Sequence, residues 1–430
     1  MKEKFIKSTF ILLIGGFLTK ILGMFIKIVM GRMIGTEGLG LYMMILPTFS
    51  LFISLSQFGM PTALIKLVAS NRSNNKKLFF STLLVSLSIN ICLIIFIIFF
   101  AEFLANDLLH NKNTYYGILA IALVIPFTSI SSLCRSYFFG KEKMIPHVTS
   151  NIIEDIVRLL LIVIGVPFFY DKSISYTVCY LILSNVVSES ISIIVLLLFL
   201  PKKVIITKDD LRPSKNYIKE SLSIGIPNTC GRFIGSIGYF LEPIILTNVL
   251  ISVGYSSEFI TYEYGVLSGY VMPLLLLPSF FTMAISQALF PLVAKDFSNY
   301  RFESAKKKIK LAITFSLAIG IPISLMFFFY PDFFLKLIYH TTEGISYIKF
   351  LVFICLLQYI QAPLSVSLDA MGKSKDVMIS SIIGVGIRTS MLFLLSFLKI
   401  GLWGLILSIS LNVIAVTLYL MKKVSYYLNR

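Results

Sequence analysis

Long apolar runs with few charges recur along the whole of this 430-residue sequence. Residues 91–101 and 191–200 are uncharged blocks within two of these runs. A run of about 18 such residues is long enough to cross the hydrocarbon core of a bilayer as a helix. Charged residues make up 14% of the chain, against about 25% in soluble domains. The sequence therefore predicts an all-α polytopic membrane protein.

We predict about twelve transmembrane helices, each bounded by short polar loops. Their ranges are 8–33, 40–69, 78–103, 116–139, 148–169, 176–200, 219–250, 262–294, 309–330, 344–369, 377–398 and 401–421. No small-residue cleavage site follows the first apolar run, so we expect an uncleaved first span. Five prolines interrupt spans and predict kinks there: Pro47, Pro61, Pro227, Pro273 and Pro278.

The net charge of +17 would suit a nucleic-acid partner, but the positions of the basic residues argue against one. The loops on one side, with both termini, hold roughly 25 Lys and Arg. The opposite loops hold only Lys112, Lys172, Lys336 and Lys399. Because basic loops stay in the cytoplasm, we expect a multi-pass protein of the bacterial cytoplasmic membrane with both termini cytoplasmic.

Short motifs recur in the same order in the two parts of the chain, which indicates an internal repeat. The matches include residues 19–23 with 231–235, residues 67–69 with 292–294, Gly140-Lys141 with Gly372-Lys373, and Arg158 with Arg388 within two residues of register. Both parts begin on the same side of the membrane, so the repeat is parallel. We predict two pseudo-symmetric six-helix bundles, residues 1–216 and residues 217–430, around a central cavity.

Two basic residues lie deep in matching spans, where an uncompensated charge costs at least about 2.5–3.5 kcal/mol. Lys20 is about 20 Å beyond Lys7 along the first helix, and Arg232 is at the same offset beyond Lys219 in the seventh. Lys27 is one heptad beyond Lys20, hence on nearly the same helix face. We expect Lys20, Arg232 and Lys27 to line a water-filled path, with Lys27 either a contact there or a chain that reaches the interface.

Arg158 and Arg388 form a second matched pair, about 15 Å inside the fifth and eleventh spans. Glu189 is the acid that we place equally deep, whereas Glu154 and Asp155 lie closer to the cytoplasm. Glu154 is one turn from Arg158 and can pair with it. These acids are candidates for ion pairing or for coupling to a transported cation. The remaining positive charge predicts a site for an anionic head group, with ion pairs or an unliganded aqueous pocket as the alternatives.

Basic residues nearer the span ends are expected to reach the interface with their long side chains. They are Arg32, Lys66, Arg135 and Lys349. The five cysteines lie in apolar stretches without a CxxC pair, so we expect no metal site and no disulfide framework. No cofactor is expected.

Three motifs carry a resemblance to a known family. IGTEGLGLYMM occupies residues 34–44, QFGMP occupies 57–61 and RSYFFGK occupies 135–141, followed by NIIED at 151–155. These segments resemble the stage V sporulation protein B family of polysaccharide-biosynthesis transporters. That family belongs to the multidrug/oligosaccharidyl-lipid/polysaccharide flippase superfamily. The resemblance is specific over residues 1–165 and looser beyond.

The resemblance implies two six-helix bundles that form a V, with a cavity that opens alternately to each side. It implies a membrane transporter that flips an undecaprenyl-diphosphate-linked oligosaccharide or peptidoglycan precursor, held through its diphosphate by cavity cations. Lys20 and Arg232 are foremost among these. Membrane lipid and enzymes of cell-wall or polysaccharide synthesis are the further implied partners. The family usually has fourteen spans, whereas twelve spans are more like those of O-antigen flippases, so the sugar is left open.

Two other functions are weighed against this one. A cation-coupled multidrug exporter of the same fold would need a buried carboxylate, for which Glu189 is the candidate. A membrane enzyme such as a sugar polymerase would need aspartates presented in a sizeable loop. The adjacent pair Asp209-Asp210 lies in a short basic linker, where a solvated turn explains it better. We therefore expect a transporter rather than an enzyme.

Overall fold

The computed structural model describes residues 2–70, 74–200 and 207–428, with side chains omitted at 2–10, 12–13, 208–209, 228 and 230–232. Over these ranges the chain is helical and contains no β-strand. The helices are α1 (Lys2–Gln57), α2 (Met60–Ala69), α3 (Asn75–Phe103), α4 (Tyr115–Gly140), α5 (Met144–Tyr170), α6 (Ile174–Leu198), α7 (Lys208–Leu211), α8 (Lys215–Ser252), α9 (Ser257–Gly265), α10 (Met272–Leu275), α11 (Ser279–Ser298), α12 (Phe302–Phe329), α13 (Pro331–Tyr339), α14 (Ile345–Ala370), α15 (Ser374–Ser396) and α16 (Trp403–Leu428).

The first helix is broken by glycine. A straight helix of the length of α1, 56 residues, would be about 84 Å long, far more than the ~30 Å hydrocarbon core. Gly35 has φ 65° and ψ −177°, which is not helical, and α1 is kinked there. A second break follows at Phe58 and Gly59, whose φ angles are 43° and 64°. The first two predicted spans therefore correspond to the segments on either side of Gly35.

Nine helical segments of the described chain are long and apolar enough to cross a membrane. A tenth consists of two helical pieces, Ser257–Leu275 and Ser279–Ser298, that meet at 50°. Ile14–Ala69 counts once among the nine although the kink in α1 divides it. The 27-residue α5 falls outside the nine because three charged residues occupy its middle. When Ile14–Ala69 is counted as two spans and α5 is added, each of the twelve predicted spans coincides with helical structure. The protein is an all-α polytopic membrane protein.

The bend between α10 and α11 follows from proline chemistry. Pro278 has no N–H group to continue the helical hydrogen-bond pattern, so carbonyl groups in the preceding turn lose their partners. Within a membrane these groups must be satisfied by protein. The Tyr359 hydroxyl of α14 donates to the Leu275 carbonyl at 2.5 Å, and the Ser279 hydroxyl donates to the Leu276 carbonyl. The predicted kink at Pro278 is confirmed, and Tyr359 stabilises it.

The chain divides into two compact units, Met1–Phe240 and Leu241–Arg430. The division falls within α8, and the boundary that we predict after residue 216 stays a prediction. In the first unit α4 packs against α1, α2, α3 and α6. In the second unit α14 packs against α11, α12 and α16.

The turns that precede α5 and α15 have the same form. Three residues separate α4 from α5, and three separate α14 from α15. The middle residues, Glu142 and Gly372, have φ angles of 56° and 73°. The third residue of each turn, Lys143 or Lys373, donates its N–H to a carbonyl five residues earlier, at 3.0 and 2.8 Å. Arg158 and Arg388 both lie fifteen residues after this lysine. They therefore occupy the same position of the repeat without the shift of two residues that the sequence match suggested.

Candidate functional site

Three neighbouring helices of the first unit bring five charged side chains together. Arg135 comes from α4, Glu154, Asp155 and Arg158 come from α5, and Glu189 comes from α6. We call this group the first-unit charge cluster. Arg158 lies one turn after Glu154 and Asp155 on α5, four and three residues along, so it can reach both.

Glu154 is the centre of the cluster. Its Oε2 atom is 2.5 Å from Arg135 Nη2, and its Oε1 atom pairs with Arg158 Nη2. Arg135 Nη2 is also 2.6 Å from Glu189 Oε2, and Arg158 Nη1 is 3.4 Å from Asp155 Oδ1. The side chains of Glu154 and Glu189 are only 8% and 10% exposed. Because each buried charge faces an opposite charge, the cluster can lie inside a helix bundle.

Arg135 Nη2 has more hydrogen-bond acceptors within reach than it has N–H groups to donate. Nη2 carries two N–H groups. Four acceptors lie within reach: Glu154, Glu189, the Ser131 hydroxyl and the Ser192 hydroxyl, the last at 3.2 Å. Since only two can be bonded at a time, the cluster can exchange partners without separating its helices. It contains three carboxylates and two guanidinium groups, so it suits a proton or a cation better than an anion.

The second unit contains a smaller ion pair at the matching repeat position. Arg388 Nη2 of α15 is 2.5 Å from Glu242 Oε2 of α8, and the Tyr264 hydroxyl donates to Glu242 Oε1 at 3.2 Å. The Glu242 side chain is 4% exposed. Arg158 uses acids of its own helix, whereas Arg388 uses an acid of another. Both predicted deep arginines are thus offset by carboxylates of their own unit.

The predicted cations of the first span have a different environment. Lys20 is exposed and Lys27 is half-buried on α1. Residues 4–36 contain no Asp or Glu, so every charged residue in this part of α1 is basic. Among the side chains that the structure describes, none forms an ion pair with Lys27. The side chain of Arg232 lies outside the described residues, so its predicted role stays a prediction.

The predicted pairing of Glu154 with Arg158 is confirmed. The prediction that Arg135 reaches the interface is wrong, because Arg135 turns inward to the buried Glu154 and Glu189. Neither acid is near Arg135 in sequence, so helical periodicity could not pair them. One signal was present: Arg135 is the only charged residue of α4, and Ser131 lies one turn before it.

The fold and its buried charges define a polytopic α-helical membrane protein of the transporter class. Residues 5–297 match the family described as polysaccharide biosynthesis protein, and residues 243–394 match the family described as MatE. Stage V sporulation protein B of Bacillus subtilis (strain 168) is 35% identical over an alignment 429 residues long, which covers 97% of this chain and 83% of the Bacillus protein. The chain belongs to the polysaccharide biosynthesis protein family, and the resemblance seen in the sequence is confirmed.

Two solved structures share the fold. The inward closed conformation of the lipid II flippase MurJ is 18% identical with a TM-score of 0.74, covering 96% of this chain and 87% of that one. An inward-facing multidrug resistance MATE family transporter of the MOP superfamily is 15% identical with a TM-score of 0.72, covering 95% of each chain. The helical arrangement is therefore that of this class of transporters.

Proposed function

We propose that this protein flips a polyprenyl-diphosphate-linked saccharide, either an oligosaccharide or a peptidoglycan precursor, across the cytoplasmic membrane by alternating access. The observation that carries the proposal is that a chain of the polysaccharide biosynthesis family has the fold of a lipid II flippase over nearly its whole length. Such a cargo has an anionic diphosphate between an apolar tail and a polar sugar. It therefore needs both cations and a membrane-embedded path.

The cations of α1 are the best candidates to hold the diphosphate. Lys20 and Lys27 lie on a helix segment without acidic residues, and we place Arg232 with them from the repeat. Phosphate oxygens accept strong charge-assisted hydrogen bonds from such groups. Arg158 and Arg388 are offset by carboxylates, so we assign them mainly to holding helices together.

A cation-coupled multidrug exporter is the second candidate. It is favoured by the MatE match and by the extra carboxylate of the first-unit charge cluster, with Glu189 as the coupling acid. We rank it lower because the match to stage V sporulation protein B spans nearly the whole chain at 35% identity, whereas the MATE structure is 15% identical.

The proposed orientation places both termini in the cytoplasm, because the basic loops lie on that side. The cargo is then loaded where it is made. Enzymes of cell-wall or polysaccharide synthesis are the proposed partners, upstream for supply and on the far side for use. The protein itself carries out no bond-breaking step in this scheme.

Reconstitution tests the proposal. Proteoliposomes containing an undecaprenyl-diphosphate saccharide are scored for sugar that becomes accessible on the opposite face. Loss of one charge-assisted contact costs about 1.5–3 kcal/mol, so Lys20→Ala and Arg232→Ala should each slow transfer about tenfold or more. Lys336→Ala removes a lysine of the short helix α13, on the side predicted to be opposite to the cytoplasm; it is the matched control and should transfer at the wild-type rate.

All variants are compared at equal amounts of protein that elutes as a single species in detergent. The double variant of Lys20 and Arg232 gives the decisive result. Transfer by the double variant at the wild-type rate would exclude the proposed role of these cations. Absence of transfer by the wild-type protein with every undecaprenyl-linked saccharide would exclude the flippase function.

A further inference from the structure

An open cleft of about 140 Å³ lies between the ends of α3, α4 and α6. Its lining residues are Lys76, Phe79, Phe80, Cys134, Tyr137, Phe138, Leu196, Leu197 and Leu200. This volume is below the range of about 300–1,000 Å³ that is typical of whole small-molecule sites, so the cleft suits one chain of a larger ligand. The cleft is set apart from the first-unit charge cluster by its apolar lining.

The floor of the cleft is a packed hydrophobic cluster. Cys134, Phe138 and Leu196 are buried, and Phe79 and Leu200 pack against them. The rings of Phe79 and Tyr137 meet edge to face with centroids 5.9 Å apart. A floor of this kind keeps its shape, because interdigitated side chains resist collapse. The cleft is therefore a preformed apolar site.

The outer wall of the cleft faces lipid. Leu197 is 53% exposed, and its neighbours Leu198 and Phe199 are 78% and 41% exposed. Exposed apolar side chains on a membrane-spanning helix contact acyl chains. All three helices reach the cleft with the ends that we predict to be cytoplasmic, so the cleft opens to the inner leaflet.

Two lysines stand at the mouth of the cleft. Lys76 lines it directly, and the Lys141 ammonium lies 4.8 Å from the ring centroid of the lining residue Tyr137. The charge of Asp210 acts on Lys76, and the Lys76 ammonium has three N–H donors, so Lys76 can contact a phosphate in addition to its protein neighbours. An apolar cleft with basic groups at the cytoplasmic rim is complementary to an anionic phospholipid.

We propose that this cleft binds one anionic glycerophospholipid of the inner leaflet, with an acyl chain along Phe79, Phe138 and Leu197 and the phosphate between Lys76 and Lys141. The site is independent of the proposed flippase cargo. The bound lipid fills the cleft and joins the ends of three helices, so it stabilises the cytoplasmic end of the first unit.

Photolabelling tests the site. The full-length protein in phosphatidylcholine nanodiscs receives phosphatidylglycerol with a diazirine on one acyl chain, and labelled residues are mapped by mass spectrometry. We expect labels at residues 134–138 and 196–200. Each basic group contributes about fivefold to binding of an anionic lipid, so Lys76→Gln combined with Lys141→Gln should lower labelling well beyond fivefold. Lys77→Gln combined with Lys143→Gln removes the same charge from neighbouring positions and should change labelling little.

A second pair of variants tests the apolar cleft itself. Leu197→Trp fills the cleft from its exposed wall and should abolish labelling, whereas the adjacent Leu198→Trp, which does not line it, should not. Equal labelling by diazirine phosphatidylcholine, or labelling that Leu197→Trp leaves unchanged, would overturn the proposal. Stronger capture of a diazirine polyprenyl diphosphate than of phosphatidylglycerol would also overturn it and assign the cleft to the cargo tail. Each variant is first shown to have the wild-type elution profile and thermal unfolding temperature.

Discussion

A guanidinium group inside a helix bundle is stable only when carboxylates replace its lost hydration. Arg135 satisfies this condition through Glu154 and Glu189, which come from two other helices. The three residues therefore join α4, α5 and α6 at one point. Removing one partner leaves a buried charge unpaired, and that penalty exceeds the net contribution of the intact pair.

Replacing Arg135 with Met should destabilise the protein by about 3–5 kcal/mol, because the buried Glu189 would lose its ion-pair partner and Glu154 would keep only Arg158. Adding Glu189→Gln should recover part of this loss, with a coupling of about 1–3 kcal/mol between the two sites. The measurement is the free energy of unfolding in detergent for the two single variants and the double variant. Lys349→Met, at an exposed position, is the control and should change it by less than about 0.5 kcal/mol. Additive single and double effects would show that the residues do not form one cluster.

Asp210 links the segment after α6 to the start of α3. The Thr207 backbone N–H, the Thr207 hydroxyl and the Asn74 amide donate to its carboxylate, and these hydrogen bonds hold the pKa of Asp210 below its usual 3.8. A lowered pKa means that the folded form prefers the carboxylate. The resulting stabilisation is complete above pH 3.8 and is lost as the pH falls through the lower folded pKa.

Backbone amide hydrogen exchange of residues 207–214 tests whether Asp210 stabilises this segment. After correction for the intrinsic rate, wild-type exchange should be slow at neutral pH and should accelerate below the usual aspartate pKa. Asp210→Asn should exchange quickly at neutral pH and lose the acid-dependent step, because the group that titrates is gone. A variant that keeps the acid-dependent step would assign it to another carboxylate.

The sequence predicted only part of these side-chain ion pairs. Arg158 and Glu154 were paired correctly because they are one turn apart on a single helix. Arg135 and Glu242 were not placed with their partners, since those contacts join residues distant in sequence. Helical periodicity reports which residues share a face, but not which other helix that face meets.

At the scale of single elements, glycine decides how closely α8 approaches the break between α1 and α2. A Cβ atom on Gly225 would lie 2.4 Å from Met60 Cε and 2.8 Å from the Phe58 carbonyl oxygen. The methionine end can move, but the carbonyl belongs to the backbone. Gly59 is equally constrained, because its φ is positive and a Cβ there would lie 2.3 Å from the Gly225 carbonyl oxygen.

Gly225→Ala should therefore destabilise the first unit by about 1–3 kcal/mol through overpacking, although alanine favours a helix. Gly235→Ala is the matched control in the same helix, since a Cβ there meets no atom within 4 Å. The control should raise the unfolding temperature slightly and Gly225→Ala should lower it. Equal effects of the two variants would mean that α8 does not approach the break as closely as described.

The helices themselves were largely predictable from the sequence, because a bilayer requires long apolar runs and the polar loops between them mark where the helices end. The prolines predicted the bend between α10 and α11. Its stabilisation by Tyr359 was not predictable, because that hydroxyl comes from α14. The repeat was predicted from short motifs, and the turns before α5 and α15 corrected its register by two residues.

At the scale of the whole molecule, membership of the polysaccharide biosynthesis family and the fold of a lipid II flippase favour an anionic lipid-linked cargo. The basic, acid-free stretch of α1 agrees with such a cargo, whereas the ion-paired Arg158 and Arg388 are assigned to structure. An anion that moves outward across an inside-negative membrane gains about 2.3 kcal/mol per charge for each 100 mV. The membrane potential can therefore drive export of a diphosphate-linked saccharide but opposes export of a cationic drug.

The most direct measurement compares both cargoes in one preparation. Proteoliposomes of the wild-type protein are given an undecaprenyl-diphosphate saccharide or a cationic dye, with and without an imposed potential, and transfer of each is followed over time. We predict protein-dependent transfer of the saccharide, faster when the potential favours anion movement and reduced by Lys20→Ala, and no transfer of the dye. Transfer of the dye without transfer of the saccharide, lost in Glu189→Gln, would contradict the flippase account.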